Sequence, residues 1–165
     1  MKAIINGHII SKNLEIENGY IIYDNITLDF GEGTLPKGNY QSIIDAKNNY
    51  VFPGLIDIHM HGARGIDSMS VTKKGLNDIS LYLAHNGVTS FLLTTVTDTK
   101  EKIKAILRKI EKYKDNLVGA NLLGVHLEGP FINSEKAGAH NRRHISDFDY
   151  SLVKEYLDLI KIITF

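Results

Sequence analysis

The pattern of apolar and polar residues changes near Pro53 and divides the chain into two parts. Before Pro53, runs of β-branched and aromatic residues such as KAIIN and LEIENGYIIY alternate with turn-forming residues. This pattern predicts short strands, so residues 1–52 are expected to form a small all-β portion. Asn18-Gly19 is typical of a two-residue β-hairpin, so the sequence predicts a turn there.

After Pro53, short apolar runs alternate with helical patterns, which is typical of strand–helix units around a parallel sheet. Strands are predicted over residues 55–61, 88–95, 121–129 and, beginning a fourth, 161–165. The first helix is predicted to begin near Ser70 or Thr72 and to end at Asn86-Gly87, because glycine readily adopts the left-handed conformation after a helix. Its buried face is predicted to carry Leu76, Ile79 and Leu83.

Two further helices follow from capping residues and apolar spacing. The second is predicted to be capped by Thr97 or Asp98. Its apolar face is predicted to consist of Ile103, Ile106, Leu107 and Ile110. The third strand leads into a long polar loop over residues 130–144, and the third helix is predicted to open near Ser146 or Asp147.

Composition narrows the class of protein. With 43% hydrophobic and 23% charged residues, the chain has the balance of a globular protein with a buried core. Nineteen basic and nineteen acidic residues leave no net charge, so we expect no binding to nucleic acid or to anionic membranes. No signal peptide or apolar run of roughly 20 residues is evident, and a cytoplasmic location is expected.

The stretch PGLIDIHMHG places two histidines near the end of the first predicted strand of the second part. Side chains alternate between the faces of a strand, so Asp57, His59 and His61 share one face and the apolar residues between them take the other. If helices cover those apolar residues, the histidines point into the centre and can converge on one metal ion. Two hydrogen-bonded histidines at a strand end explain the pair equally well.

The third predicted strand offers a further ligand. By the same alternation, Glu128 shares a face with Gly124 and His126 and lies where the strand ends. In an eight-stranded barrel, alternate strands contribute side chains at similar heights, so His59, His61 and Glu128 can meet. An ion pair without metal is the alternative. His126, one step deeper, is predicted to be a packed, hydrogen-bonded residue. Since the chain has no cysteine, any metal ligands must be histidine, carboxylate, carbonyl or water.

Three segments together resemble the N-acetylglucosamine-6-phosphate deacetylase family of the amidohydrolase superfamily: VFPGLIDIHMHG, NGVTSFLLTT and LLGVHLEGPFINSEKAGAHN. The histidine pair after PGLID is shared across the superfamily, whereas HLEGPF followed by KAGAHN is more specific to this family. The resemblance extends over nearly the whole chain and implies the amino-terminal half of such an enzyme.

The resemblance implies an α/β fold: a partial (β/α)8 TIM-type barrel over 53–165, with its first three βα units and the start of strand four. A β-sandwich portion over 1–52 precedes it. Glu128, His59 and His61 would bind one or two divalent metal ions, zinc, iron or similar, and Ala139 and His140 would contact the sugar. The general acid/base aspartate is expected beyond Phe165, so no catalytic residue is assigned within the chain.

The implied reaction is hydrolysis of N-acetylglucosamine 6-phosphate, a small-molecule amino-sugar phosphate, to glucosamine 6-phosphate and acetate in amino-sugar catabolism. The full-length protein is expected to be a homo-oligomer, and the 165-residue chain alone is expected to be inactive. Two alternatives remain open. The protein could be another amidohydrolase, acting on a cyclic amide or as a deaminase, or the chain could be a non-catalytic fragment that needs a partner to complete its barrel.

Overall fold

The computed structural model describes residues 1–165 and divides them into two compact units, Met1–Pro53 and Gly54–Phe165. The first unit contains five strands: β1 (Lys2–Ser11), β2 (Leu14–Tyr23), β3 (Thr27–Glu32), β4 (Ser42–Asp45) and β5 (Tyr50–Val51). Strand β2 lies between β1 and β3 and is antiparallel to both, whereas β4 and β5 pair with β1 in parallel. These strands form one sheet, and the second layer of a sandwich remains a prediction.

The turn predicted at Asn18-Gly19 is wrong. The chain reverses direction at residues 12 and 13, between β1 and β2, and Gly19 lies within β2. A Cβ atom at Gly19 would lie 2.4 Å from Ile9 Cδ1, so the absence of a side chain permits close packing inside the sheet. Close packing, and not turn formation, explains the glycine at this position.

The second unit contains six strands and three helices: β6 (Leu55–Met60), β7 (Gly62–Ala63), β8 (Ile66–Asp67), α1 (Lys73–His85), β9 (Val88–Thr94), α2 (Lys100–Tyr113), β10 (Asn121–Glu128), α3 (Tyr150–Val153) and β11 (Ile160–Thr164). Four strands form a parallel sheet in the order β11-β10-β9-β6, and β7 and β8 form a small hairpin. The predicted α/β class with a parallel sheet is therefore confirmed. No helix is both long and apolar enough to cross a membrane.

Helix α1 matches its prediction at both ends and along its buried face. The Thr72 hydroxyl accepts a hydrogen bond from the Gly75 N–H at 3.1 Å and caps the helix. After the helix, Gly87 has φ +77°, the left-handed conformation that ends a helix at little cost in glycine. The predicted apolar residues Leu76, Ile79 and Leu83 are buried.

Helix α2 begins later than predicted, because its N-cap is Thr99 and not Thr97 or Asp98. The Thr99 hydroxyl accepts from the Lys102 N–H at 3.3 Å. Asp98 instead accepts from the Thr99 N–H at 2.7 Å, and the Thr97 hydroxyl is hydrogen-bonded to His140 Nδ1 at 2.8 Å. The predicted apolar face is buried: Ile103, Ile106, Leu107 and Ile110.

The third helix begins later than predicted. Its N-cap is Asp149, whose carboxylate accepts from the Ser151 N–H at 2.8 Å. The predicted opening at Ser146 or Asp147 is wrong, because the Ser146 N–H donates to the Pro130 carbonyl and the Ser146 hydroxyl donates to the Asp147 carbonyl. Helix α3 has a single turn and continues as a 3-10 turn before β11.

Strand β6 is an edge of the parallel sheet, and only one of its apolar side chains is buried. Leu55, Ile56 and Ile58 are 55%, 59% and 55% exposed, whereas Met60 is 8% exposed and belongs to the core. Helices therefore do not cover Ile56 and Ile58, and of the apolar residues that alternate with the histidines only Met60 is buried. The core lies between the sheet and the helices, with Phe91, Leu93, Val125 and Leu127 among its fully buried side chains.

Candidate metal centre

His59 and His61 lie at the carboxyl end of β6, and their rings meet edge to face. The ring centroids are 5.0 Å apart with an interplanar angle of 81°. Asp57, the third residue of this face, accepts a hydrogen bond from the His59 N–H at 3.0 Å. This bond holds the Asp57 carboxylate against its own strand, one step deeper than the histidines.

Glu128, at the end of β10, approaches both histidines. Its Oε2 atom lies 3.0 Å from His61 Nε2 and 3.6 Å from His59 Nε2. The two Nε2 atoms are themselves 3.1 Å apart. The histidine side chains are 45% and 41% exposed and the glutamate side chain is 19% exposed, so the cluster is open to solvent on the histidine side. The structure thus brings together the three residues that the sequence predicts as ligands.

The donor set and its spacing fit a divalent metal ion. Ligands about 2.1 Å from a tetrahedral zinc ion would stand about 3.4 Å from one another. The separations among His59, His61 and Glu128 are 3.0 to 3.6 Å, close to that value. Two imidazoles and one carboxylate suit zinc or iron, and three protein ligands leave coordination positions for water or substrate.

One of the two residues predicted to contact the substrate, His140 in the loop after β10, lies close to Glu128. His140 Nε2 lies 3.6 Å from Glu128 Oε2, and the His140 side chain is 14% exposed. On its other side, His140 Nδ1 accepts from the Thr97 N–H at 3.2 Å. Ala139, the second predicted substrate residue, precedes His140 in the loop and is exposed. Only His140 reaches the cluster with a polar side-chain atom.

His126 lies below the cluster and is packed and hydrogen-bonded, as the strand alternation predicts. It is 7% exposed, and its ring packs edge-on against His59 at a centroid distance of 4.9 Å. Its Nδ1 atom is 3.1 Å from the Ile58 carbonyl oxygen, and its Nε2 atom is 2.7 Å from the Thr164 hydroxyl. Both ring nitrogens are therefore satisfied by protein groups.

Sequence reasoning missed three residues that contact this region, Thr94, Thr95 and Thr97. They belong to the segment TTVT at the end of β9 and just after it, and all three are buried. The signal was present in the sequence, since three threonines in four residues follow the apolar run Phe91-Leu92-Leu93. Buried hydroxyl groups need hydrogen-bond partners, and these partners can be identified only once the neighbouring strands are placed.

No family model matches the chain. The N-acetylglucosamine-6-phosphate deacetylase of Bacillus subtilis (strain 168) is 36% identical over 165 aligned residues, which cover 94% of this chain and 42% of that protein.

Two solved structures of enzymes with the same name are also similar. The Thermotoga maritima structure is 31% identical, with a TM-score of 0.72, and the match covers 93% of this chain and 39% of that one. The Pasteurella multocida structure is 23% identical, with a TM-score of 0.86, and the match covers 98% of this chain and 44% of that one, a likeness of fold. The chain spans less than half the length of these relatives. By sequence, it belongs to the N-acetylglucosamine-6-phosphate deacetylase family.

Proposed function

We propose that the protein hydrolyses the acetamide of N-acetylglucosamine 6-phosphate and releases glucosamine 6-phosphate and acetate, as part of amino-sugar catabolism. The observation that carries the proposal is the convergence of His59, His61 and Glu128, whose ligand atoms lie 3.0 to 3.6 Å apart. The relatives at 31% and 36% identity bear the name of this activity. They favour it over the cyclic-amide hydrolase or deaminase that the histidine pair alone allows.

His59, His61 and Glu128 would hold one or two divalent ions, zinc, iron or similar. A bound ion supplies a water activated for attack and polarises the amide carbonyl oxygen. The three residues fix where this can occur, because strands β6 and β10 both end at the same edge of the parallel sheet. Their exposed side faces solvent, which allows a substrate to approach.

His140 would donate a hydrogen bond to the sugar. The Thr97 backbone N–H can only donate, so the Nδ1 atom of the His140 ring accepts, and the neutral ring carries its proton on Nε2. That N–H lies on the Glu128 side of the ring. A hydroxyl or carbonyl oxygen of the substrate is the matching acceptor, and the exposed Ala139 would line the same part of the loop.

The reaction also needs a general acid/base that takes a proton from water and delivers it to the departing amine as the C–N bond breaks. The family resemblance assigns this role to an aspartate after Phe165. Asp57 does not replace it in this proposal, because its carboxylate is hydrogen-bonded to the His59 N–H.

The same resemblance supports several wider proposals. Residues 53–165 would form part of a (β/α)8 barrel, and residues 1–52 would form part of a β-sandwich. The complete protein would be a homo-oligomer that acts on a small amino-sugar phosphate. The zero net charge and the lack of a signal peptide or long apolar run support a cytoplasmic protein that binds neither nucleic acid nor membrane.

The experiment joins this chain to the part of the Bacillus subtilis deacetylase that lies outside the match, and measures acetate release from N-acetylglucosamine 6-phosphate. The hybrid should release acetate. Glu128→Gln should lower the rate at least about hundredfold, because a metal contributes several kcal/mol and each ~1.36 kcal/mol is tenfold in rate. The matched control is Glu135→Gln, an exposed glutamate in the loop after β10.

Unchanged acetate release by the Glu128→Gln hybrid would overturn the proposal, as would a folded parent hybrid that releases none. Turnover of dihydroorotate in place of the amino sugar would support the cyclic-amide hydrolase instead. The 165-residue chain assayed alone is expected to release no acetate.

A further inference from the structure

Three buried threonines lie at the last residue of β9 and at the first and third positions after it. Thr94, Thr95 and Thr97 are 0%, 0% and 4% exposed. A hydroxyl group removed from water costs free energy unless it is hydrogen-bonded, so each of these side chains needs a partner. We call Thr94, Thr95 and Thr97 the threonine segment.

Thr94 contacts the histidine strand. Its Oγ1 atom accepts a hydrogen bond from the Met60 N–H at 2.9 Å, and Met60 lies between His59 and His61. The pairing of β6 with β9 shifts register between Asp57 and Met60. The threonine hydroxyl therefore provides the acceptor for a backbone N–H where the ladder is irregular, and it fixes the backbone from which both histidines project.

Thr95 contacts the glutamate strand in two ways. Its Oγ1 atom accepts from the Glu128 N–H at 3.2 Å, and its own N–H donates to the His126 carbonyl at 3.0 Å. The backbone of Glu128 is therefore fixed at the position where β10 ends. A shift there would move the carboxylate relative to the histidines.

Thr97 contacts the loop histidine. Its backbone N–H lies 3.2 Å, and its hydroxyl 2.8 Å, from His140 Nδ1. The two groups fix the orientation of the ring and leave Nε2 as the protonated nitrogen. A Cβ atom at Gly129 would lie 1.9 Å from Thr97 Oγ1, so the chain after Glu128 also passes close to this hydroxyl.

We propose that the threonine segment positions the candidate site: Thr94 for the histidine pair, Thr95 for Glu128 and Thr97 for His140. The inference rests on the proposed metal centre. The last residue of β9 and the three residues after it reach all three parts of the site, which come from different places in the sequence. Thr94, Thr95 and Thr97 are positioning residues, because none of the hydrogen bonds described here joins them to a proposed metal ligand atom.

The test measures cobalt(II) binding to the 165-residue chain by absorption spectroscopy. Thr94→Val and Thr95→Val keep the shape of the side chain and remove the hydroxyl. Each should weaken cobalt affinity about tenfold or more and change the visible spectrum, as is typical when groups that orient metal ligands are lost. Thr94→Ser and Thr95→Ser keep the hydroxyl and should restore both.

The matched control is Thr89→Val, an exposed threonine of the same strand, which should leave cobalt affinity and the spectrum unchanged. Thr97→Val should also leave cobalt affinity unchanged, because its partner His140 is not among the three clustered ligands. Wild-type affinity and spectrum in folded Thr94→Val and Thr95→Val variants would overturn the proposal.

A second readout needs neither metal nor substrate. Nitrogen-15 NMR of the histidine rings should find His140 protonated on Nε2, and a proton on Nδ1 contradicts the role of Thr97. Hydrogen exchange at the Met60 and Glu128 amides should be faster in the valine variants than in the matching serine variants. If the wild-type chain binds no cobalt, the metal centre fails. Equal exchange rates in the valine and serine pairs would then reject the positioning role too.

Discussion

At the scale of single residues, His126 connects three strands of the parallel sheet. A carbonyl oxygen only accepts, so the Nδ1–H of His126 donates to Ile58 of β6. The Nε2 atom is hydrogen-bonded to the Thr164 hydroxyl of β11. This ring on β10 reaches across β9 to the strand that carries His59. Its removal takes a hydrogen-bond partner from the Ile58 carbonyl and from the hydroxyl of the half-buried Thr164.

His126→Phe keeps an aromatic ring and removes both hydrogen bonds. It should lower the free energy of unfolding by about 1 to 3 kcal/mol, the usual cost of a polar group left unsatisfied. Urea unfolding of the 165-residue chain measures it. The control is His85→Phe, at the exposed end of α1, which should cost less. Equal losses in the two variants would show that the hydrogen bonds of His126 do not stabilise the fold.

The side-chain carboxyl group of Asp149 has a pKa well below its usual value. Its hydrogen bond with the Lys100 ammonium, and then its hydrogen bond with Ser151, lower the pKa of the carboxyl from 3.8 to about 2. The folded state therefore binds this proton more weakly than the unfolded state. The stabilisation is fully present above pH ~4 and is lost as the pH falls through about 2.

Asp149→Asn removes that pH-dependent contribution. The wild-type chain should melt at a higher temperature than the variant above pH ~4, and the difference should shrink between pH ~4 and ~2. Thermal melting at several pH values checks this, with Asp158→Asn as a control carboxylate in the same region. A difference that stays constant across the range would contradict the assigned cause.

The site residues show what a sequence can predict at this scale. Strand alternation is a local property, so it placed His59, His61 and Glu128 where the structure brings them together. The hydrogen bonds of Thr94 and Thr95 could not be predicted in this way. They depend on which backbone N–H of a neighbouring strand faces each hydroxyl, and this follows from the register of the assembled sheet.

At the scale of elements, helix α2 shows how the spacing of apolar residues determines which face of a helix is buried. Its apolar residues recur at three-and-four spacing, and they are 0% to 4% exposed: Ile103, Ile106, Leu107 and Ile110. Its other positions carry lysines and other charged residues that face solvent. This division allows one face to pack on the sheet while the other is solvated.

Leu107→Ala should lower the free energy of unfolding by about 2 to 5 kcal/mol, because it leaves a cavity in the core. Leu107 is 0% exposed, whereas Leu157 is 53% exposed and provides the matched control, Leu157→Ala. Chemical denaturation of both variants measures the difference. A loss at position 107 no greater than at position 157 would contradict the assigned packing of α2.

Periodic elements were predictable, but boundaries set by contacts distant in sequence were not. The buried face of α1 and its end at Gly87 follow from local spacing and backbone conformation. The predicted cap at Thr97 failed because that hydroxyl is bonded to His140, which is 43 residues away. The predicted turn at Asn18-Gly19 failed because Gly19 packs against Ile9 inside the sheet.

At the scale of the whole molecule, the exposed edge strand β6 is the feature with the clearest consequence. An unpaired strand edge with apolar side chains favours association with other chains. Leu55, Ile56 and Ile58 form such an edge on the parallel sheet. Strand patterns alone do not identify β6 as the edge, because they do not specify which strand has a neighbour on only one side.

The 165-residue chain should therefore associate as its concentration rises, and Ile56→Lys should reduce that association by placing a charge on the edge. Sedimentation velocity at several concentrations measures it. The control is Val118→Lys, a 74% exposed apolar position in the loop before β10, which should have little effect. A monomeric wild-type chain, or equal effects of the two lysines, would contradict this role for the edge.

The metal ion proposed to bind His59, His61 and Glu128 is tested most directly by the zinc retained per chain after equilibrium dialysis, measured by elemental analysis for wild type, Glu128→Gln and the control Glu135→Gln. Wild type and the control should retain zinc, whereas Glu128→Gln should retain much less. No zinc on the wild-type chain, or the same amount on Glu128→Gln, would contradict this proposal.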